Sequence, residues 1–252
     1  MDNHQPPRVW REDFRVRHSE VDRQNRLKTD ALFDYIQQGA ADHADALGCG
    51  FNMATSGNMM WVLSRMTLQF RRAPASGERL TLQTWPSGFD RLFALREYLL
   101  KDADGEIVTF GTSFWCLVDF VRMRPLRLPE ALPVQLPDNS DMPQHFQLPA
   151  KFSIDGLDSP METVVTEHLV DVNQHLNNAR YAAIATDWLA RQLNHPAALS
   201  HLSVNYLLAT PPGTRLVTTG QIDSDGGFRL RIDGALPDEP PALRFTAQGH
   251  LA

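Results

Sequence analysis

The chain has 252 residues, a formal net charge of −6 and 42% hydrophobic residues. This length allows one large domain or two small ones around a substantial core, and the acidic balance argues against nucleic-acid binding, which needs a basic face. No apolar run approaches membrane-spanning length and no signal peptide precedes the first elements, so we expect a cytoplasmic protein without membrane insertion.

The two cysteines, Cys49 and Cys116, form neither a disulfide framework nor a zinc-binding pattern. We expect both to be small buried residues. The sequence predicts no metal ion and no cofactor.

The first half of the chain predicts one strand, a long helix and four further strands. Loose alternation of apolar residues indicates a strand at 10–17. A helix follows at 29–47, with Thr29 as its candidate N-cap and a single apolar face. That face contains Leu32, Tyr35, Ile36, Ala40 and Leu47. The four strands are expected at 61–73, 79–86, 92–101 and 106–120.

A proline-rich segment separates this half from the next. Residues 124–160 contain seven prolines and show no periodicity, so they predict a connector laid along the surface and pinned by its leucines. The pattern of the first half then returns, with a strand at 162–170 and a helix at 178–194. Four strands follow at 201–209, 214–222, 227–233 and 242–250.

The two halves resemble each other as an internal repeat. Residues 66–80 match residues 202–216 at a constant offset of 136, with Gly77 on Gly213 and Leu80 on Leu216. Val21 and Asp22, before the first helix, also echo Val172 and Asn173 before the second. We therefore predict an α+β protein built as a fused dimer, each unit an antiparallel sheet around one helix. The predicted division is 1–123 for the first unit, 124–160 for the connector and 161–252 for the second unit.

A polar cluster precedes the second helix. Asp171, Asn173 and His175 come just before the apolar stripe that begins at Tyr181, and Asn177 or Asn178 is the candidate N-cap. The N-terminus of a helix favours developing negative charge. His175 is therefore the candidate general base, Asp171 the group that orients it, and the Asn173 amide a donor to an oxyanion. The alternative is that Asp171 only forms a turn and the asparagines only cap the helix.

Several separated motifs resemble those of the acyl-[acyl-carrier-protein] thioesterases of plants and bacteria. They are Asp-Val-Asn-Gln-His-Leu-Asn-Asn at 171–178, Trp-Pro-Ser-Gly-Phe-Asp-Arg-Leu-Phe-Ala-Leu-Arg at 85–96, Ser-Phe-Trp-Cys-Leu-Val-Asp at 113–119 and Trp-Val-Leu-Ser-Arg at 61–65. The resemblance runs from about residue 10 to the C-terminus. It implies a double hotdog fold and hydrolysis of the thioester between a fatty acyl chain and acyl carrier protein, with Asp171, Asn173 and His175 as catalytic residues.

The sequence departs from that family at one catalytic position. The resemblance places a catalytic Glu on the strand after the second helix, where this chain has Ala209. An acyl-CoA thioesterase and a non-catalytic protein that binds acyl chains therefore remain alternatives.

Four residues are candidates for substrate binding. Met59, Met60 and Trp61 either line an acyl tunnel, because flexible methionines adapt to a lipid chain, or are ordinary core. Arg91 is expected to meet the acidic carrier or its pantetheine phosphate. Whether the fused units pair further as a homodimer is left open by the sequence.

Overall fold

The computed structural model describes residues 6–51, 53, 57–148, 154 and 158–252, which contain two long α-helices and eleven strands. The helices are α1 (Thr29–Ala46) and α2 (Asn178–Leu193). The strands of the first half are β1 (Trp10–Arg15), β2 (Met59–Phe70), β3 (Arg79–Asp90), β4 (Phe93–Asp102), β5 (Ile107–Asp119) and β6 (Arg124–Pro125). Those of the second half are β7 (Asp158–Val164), β8 (Leu199–Tyr206), β9 (Arg215–Ile222), β10 (Gly227–Ala235) and β11 (Ala242–Leu251).

The strands form one antiparallel sheet in the order β1-β3-β4-β5-β2-β8-β11-β10-β9-β7, with β6 paired to the end of β5. Each predicted helix and strand is present, but several bounds differ. The strand expected at 61–73 ends at Phe70, the strand expected at 79–86 extends to Asp90, and the N-cap of α1 is Lys28 and not Thr29. The strand expected at 162–170 ends at Val164, because Glu167–Leu169 turn in a short 3₁₀ helix. The strand expected at 201–209 ends at Tyr206.

At the centre of the sheet, the two halves of the internal repeat are related by a pseudo-twofold axis. Strands β2 and β8 pair with Thr67 opposite Ser203, two residues that are 136 positions apart, and their hydroxyl oxygens are 2.9 Å from each other. Each half therefore supplies an equivalent sheet, and the pairing of β2 with β8 joins the two into one. The fold is a double hotdog.

Both helices pack on one face of the sheet and share one core. Phe33 and Ile36 of α1, and Tyr181 and Trp188 of α2, are almost completely buried in the same cluster. Trp188 lies so close to β9 that a Cβ added at Gly220 would be 2.6 Å from its ring. Glycine is therefore required at this position for the helix to reach the sheet.

A second apolar cluster lies where α1 ends and β2 begins. Leu47, Cys49, Met53, Ala94, Leu117 and Leu128 are its buried members. Leucines of the connector, including Leu126, Leu132 and Leu136, pack against it. The predicted pinning of the connector by its leucines is therefore confirmed, and Cys49 is buried as expected. Cys116 is only half-buried, which corrects the second cysteine prediction.

A buried histidine of α1 links the helix to the sheet of the first unit. The Nε2 of His43 is 2.8 Å from the Pro7 carbonyl oxygen, and its Nδ1 is 3.1 Å from Nη1 of Arg96. Arg96 can only donate, so Nδ1 accepts and the ring is neutral, with its proton on Nε2. Burial, together with the positive charge of Arg96, lowers the pKa of His43 to about 4.

We expect this histidine to make the fold sensitive to acid. The unfolded state takes up the His43 proton near pH 6.5 and the folded state only near pH 4, so stability falls as the pH drops through this window. The difference corresponds to about 3 kcal/mol. Urea unfolding between pH 7 and pH 4 should show this loss in the wild type and in the exposed control His195→Gln. The slope should be largely absent in His43→Gln, and an unchanged slope in that variant would contradict the assignment.

No helix in the described part of the chain combines the length and the apolar character needed to cross a membrane.

Candidate active site

Helix α2 begins at the polar cluster singled out in the sequence. The Oδ1 of Asn177 accepts a hydrogen bond from the backbone N–H of Ala179 at 2.8 Å, so Asn177 is the N-cap and Asn178 is the first helical residue. Of the two asparagines proposed as caps, the first is therefore the cap. The backbone N–H of Asn177 donates to the Leu169 carbonyl at 3.0 Å.

One backbone N–H at this helix start remains available. Those of Asn177 and Ala179 are already bonded, whereas within the described residues the N–H of Asn178 has no hydrogen-bond acceptor. The hydroxyl of Tyr206, on β8, donates to the Asn178 carbonyl oxygen at 3.1 Å and so holds this residue against the sheet. Burial, with the neighbouring Tyr181, raises the pKa of Tyr206 well above its ordinary value, so the hydroxyl stays a donor. No local sequence pattern predicts this contact.

The residues before the cap form a closed loop, 170–176, which we call the α2 loop. Val170 and Leu176 form a β-bridge, and the Asp171 N–H donates to the His175 carbonyl at 3.1 Å. The Asp171 carboxylate accepts from the Asn173 N–H at 2.9 Å and from the Asn177 side-chain amide at 3.1 Å. Asp171 therefore shapes the loop and ties it to the helix cap.

His175 and Asn173 project from this loop. His175 is half-buried, and its Nδ1 is 3.3 Å from the Leu176 carbonyl, a long contact that leaves Nε2 without a partner among the described residues. Asn173 is exposed. Within the described chain, the Asp171 carboxylate makes no hydrogen bond to the imidazole, so its predicted role in orienting His175 stays a prediction.

The first unit contains a loop of the same geometry before α1. Val21 and Leu27 form the matching bridge, and Asp22 accepts N–H bonds as Asp171 does. The structural counterpart of Val21–Asp22 is therefore Val170–Asp171, and the predicted match with Val172–Asn173 is wrong by two residues. The position of His175 is taken by Arg26.

The side chain of Arg26 is engaged in holding the first loop together. Its guanidinium bonds the Asp22 carboxylate at 2.9 and 3.1 Å and the Pro196 carbonyl at 2.9 Å. Burial alone raises the pKa of Asp22, but the bonds from Arg26 and Gln24 outweigh it and lower that pKa. The two loops thus share an aspartate that shapes the backbone, whereas an imidazole is present in the α2 loop alone.

The chain after β8 passes beside the α2 loop. The Thr210 carbonyl accepts the Leu176 N–H at 2.7 Å, and the hydroxyls of Thr210 and Tyr181 are 2.5 Å apart. Ala209 is exposed and lies beyond the last residue of β8, so the expectation that Ala209 lies on this strand is wrong. Pro211 and Pro212 lack the N–H groups that would extend the strand.

The candidate substrate-binding residues are divided between two places. Met59 and Trp61 pack against the second apolar cluster, where the Trp61 indole donates to the Cys49 carbonyl at 2.8 Å. Met60 is half-buried on the other face of the strand. Because β8 runs antiparallel to β2, this start of β2 lies at the same end of the sheet as the α2 loop. Arg91 is exposed in the turn between β3 and β4, with a φ of 56°.

A cavity of about 380 Å³ lies elsewhere, between β3 and the connector. Pro86, Phe89, Leu132 and Asn139 are among its lining residues, and Asp171, Asn173 and His175 are not. In the described residues, no three His, Cys, Asp or Glu side chains are placed to hold a metal ion.

Comparisons with known proteins agree with this architecture. The fold superposes on an acyl-ACP thioesterase from Bacteroides thetaiotaomicron with a TM-score of 0.87 at 20% identity, covering 97% of this chain and 98% of that one. A 12:0-ACP thioesterase from Umbellularia californica gives 0.79 at 19% identity, covering 98% of each chain. The protein is thus a double hotdog of the kind found in thioesterases.

The sequence comparisons define the family. Residues 7–134 match the family model described as the acyl-ACP thioesterase N-terminal domain. A chloroplastic palmitoyl-acyl carrier protein thioesterase from Gossypium hirsutum is 26% identical over 212 residues, which cover 77% of this chain and 49% of the relative. A chloroplastic acyl-[acyl-carrier-protein] hydrolase from Cuphea viscosissima is 26% identical over 211 residues, covering 79% and 50%. The chain belongs to the acyl-ACP thioesterase family, and it spans about half the length of these curated relatives.

Proposed function

We propose that this protein hydrolyses fatty acyl thioesters of acyl carrier protein, releasing a free fatty acid and the thiol of the carrier. The observation that carries the proposal is the α2 loop. In it, His175 lies beside a helix N-terminus whose Asn178 N–H has no acceptor among the described residues, while the equivalent loop of the first unit has a salt-bridged arginine.

The proposed reaction is the attack of water on the thioester carbonyl. His175 takes a proton from the water as its oxygen bonds to the carbonyl carbon, and the carbonyl oxygen becomes an oxyanion. The Asn178 N–H and the Asn173 side-chain amide are the donors proposed for this oxyanion. When the carbon–sulfur bond breaks, His175 returns the proton to the leaving thiolate. Asp171 acts by holding the loop, and Met59, Met60 and Trp61, at the start of β2, receive the acyl chain.

Turnover of matched thioesters tests the proposal. Release of free thiol should be faster from acyl carrier protein than from acyl-CoA with the same acyl chain. The reverse preference would favour the acyl-CoA thioesterase, and binding without thiol release would favour the non-catalytic alternative, for which the missing carboxylate at Ala209 is the specific argument. A cytoplasmic location, a homodimer and the division at residues 123 and 160 stay predictions.

Ala209 also allows a test by gain of function. The Thr210 carbonyl accepts a hydrogen bond from the Leu176 N–H of the α2 loop. A glutamate at the exposed position 209 is therefore next in the chain to a residue that contacts this loop. We expect Ala209→Glu to raise kcat/KM on an acyl-carrier thioester about ten-fold, since a hydrogen bond to a charged group is worth about 1.5–3 kcal/mol and side-chain ordering offsets part of it. Ala209→Gln is the matched control. Equal rates for both variants would show that a carboxylate has no role at this position.

A further inference from the structure

The exposed apolar side chains of this protein are distributed unequally between the two ends of its sheet. We call the end that carries the α2 loop, where β5 and β8 finish and β2 begins, the α2-loop end. Every large apolar side chain that is exposed in the described residues lies at this end or in the loops that adjoin it. They are Phe51, Val62, Phe89, Leu92, Phe120, Val121, Met123, Val164, Val172, Leu207 and Leu208.

The opposite end of the sheet has a different composition. Its hairpin turns at 102–106 and 223–226 are rich in aspartate and glycine, and Asp102 and Asp223 accept backbone N–H groups there. The pseudo-twofold relates the two ends, so the fold alone would make them alike. The exposed apolar side chains therefore lie at the end that carries His175, although the symmetry of the fold alone would place them at both ends. This asymmetry indicates a partner that contacts the protein beside the candidate site.

The first unit contributes two neighbouring hairpin tips to this end. Phe89 and Leu92 flank the β3–β4 turn, and Val121 and Met123 follow β5 with exposures of 67% and 76%. The tips are adjacent because β4 and β5 pair, with Phe93 opposite Cys116. Together with their arginines they form what we call the tip surface, defined by Phe89, Arg91, Leu92, Val121, Arg122, Met123 and Arg124.

The charges that point outward from the tip surface are cations. Arg91, Arg122 and Arg124 are exposed, and so is Arg127 nearby. The Asp119 side chain is only 18% exposed, against 79% for Arg122, and it accepts the N–H groups of Val121 and Arg122 at the base of the turn. Its carboxylate is 3.7 Å from the Arg122 guanidinium, a long ion pair at an exposed site that leaves the outer side of this arginine facing solvent. The other nearby carboxylates are half-buried Asp90 and exposed Glu130. An apolar patch with methionine, aromatic and arginine side chains suits a protein partner, and its charge suits an acidic one.

We propose that the tip surface docks the acyl carrier protein, an acidic protein, so that its acyl arm enters at the α2 loop. This inference rests on the proposed function. Three strand steps separate β4 from β8, which is about 14 Å across the sheet. Val172 of the α2 loop, with Leu207 and Leu208 after β8, lies at the far side of that span and forms the apolar margin that the arm crosses.

Variants of the tip surface test the docking directly. Arg122→Glu, and separately the pair Val121→Ser and Met123→Ser, are compared with Arg79→Glu, an exposed arginine at the opposite end. We expect the tip variants to weaken binding of purified acyl carrier protein about ten-fold, to raise its KM by the same factor and to leave kcat/KM on acyl-pantetheine unchanged. Added salt should weaken carrier binding more in the wild type than in Arg122→Glu. Arg79→Glu should match the wild type throughout.

The outcomes separate docking from chemistry. Equal losses on acyl carrier protein and acyl-pantetheine, or unchanged carrier binding in the tip variants, would overturn the docking site. So would tip variants that lose binding to phosphatidylglycerol vesicles while keeping carrier binding, since the surface would then serve a bilayer. If the wild type binds the carrier but hydrolyses neither thioester, the proposed function fails and the binding measurements still decide the docking site.

Discussion

Replacing His175 by alanine should lower kcat/KM on an acyl-carrier thioester by about a hundred- to ten-thousand-fold, the usual cost of removing a general base. The imidazole makes one long contact to the Leu176 carbonyl and is half-buried, so its loss should leave the thermal midpoint nearly unchanged. Steady-state kinetics and thermal unfolding of the same preparation measure the two quantities together.

The matched control is Arg26→Ala, in the loop of the first unit. It removes a side chain at the position equivalent to His175 and breaks the partly buried pair with Asp22. We expect Arg26→Ala to cost about 1 kcal/mol of stability and little activity. A His175→Ala protein that hydrolyses the thioester near the wild-type rate would exclude His175 as the base, and an equal loss in Arg26→Ala would point to a general effect on the fold.

Much of the fold follows from local patterns in the sequence. Helix α2 was predictable almost to the residue, because the asparagine that caps it lies only a few positions before the apolar stripe that begins at Tyr181. The repeat at an offset of 136 predicted the pseudo-twofold, because equivalent strands must pair antiparallel about it, and Thr67 and Ser203 lie at its centre.

The parts that the sequence did not predict depend on contacts between distant residues. The end of β8 is decided by where β11 stops pairing with it, at Phe245 opposite Tyr206, and by two prolines further along. The equivalence of the two loops is decided by the bridges Val21–Leu27 and Val170–Leu176. The local sequence similarity of Val21–Asp22 to Val172–Asn173 suggested the wrong register. The bond from Tyr206 to Asn178 joins residues 28 positions apart and leaves no local pattern.

A buried carboxylate under the connector is another contact between distant residues that the sequence did not predict. Glu97 of β4 is completely buried on the sheet face opposite α1, since its neighbours Arg96 and Tyr98 point toward the helix. Its Oε2 accepts hydrogen bonds from the Thr112 hydroxyl at 2.7 Å and from the N–H and Nδ1 of His145, at 3.0 and 2.8 Å. Its Oε1 accepts from the Ser87 hydroxyl at 2.9 Å. One side chain therefore fastens the connector to three strands.

Glu97→Ala should consequently reduce the free energy of unfolding by about 3–5 kcal/mol, because it leaves several buried donors without an acceptor. Glu97→Gln should cost less. Its amide oxygen can replace Oε2 toward Thr112 and His145, while its NH₂ donates to the Ser87 hydroxyl, which accepts as readily as it donates.

Urea unfolding compares both variants with Glu106→Ala. Glu106 is an exposed glutamate of the β4–β5 hairpin, and its replacement should change stability by less than about 0.5 kcal/mol. Limited proteolysis should cut the connector fastest in Glu97→Ala, because Glu97 holds the connector at His145. A loss below about 1 kcal/mol, or a glutamine variant as unstable as the alanine variant, would mean that the connector is held by its leucines and that the carboxylate contributes little.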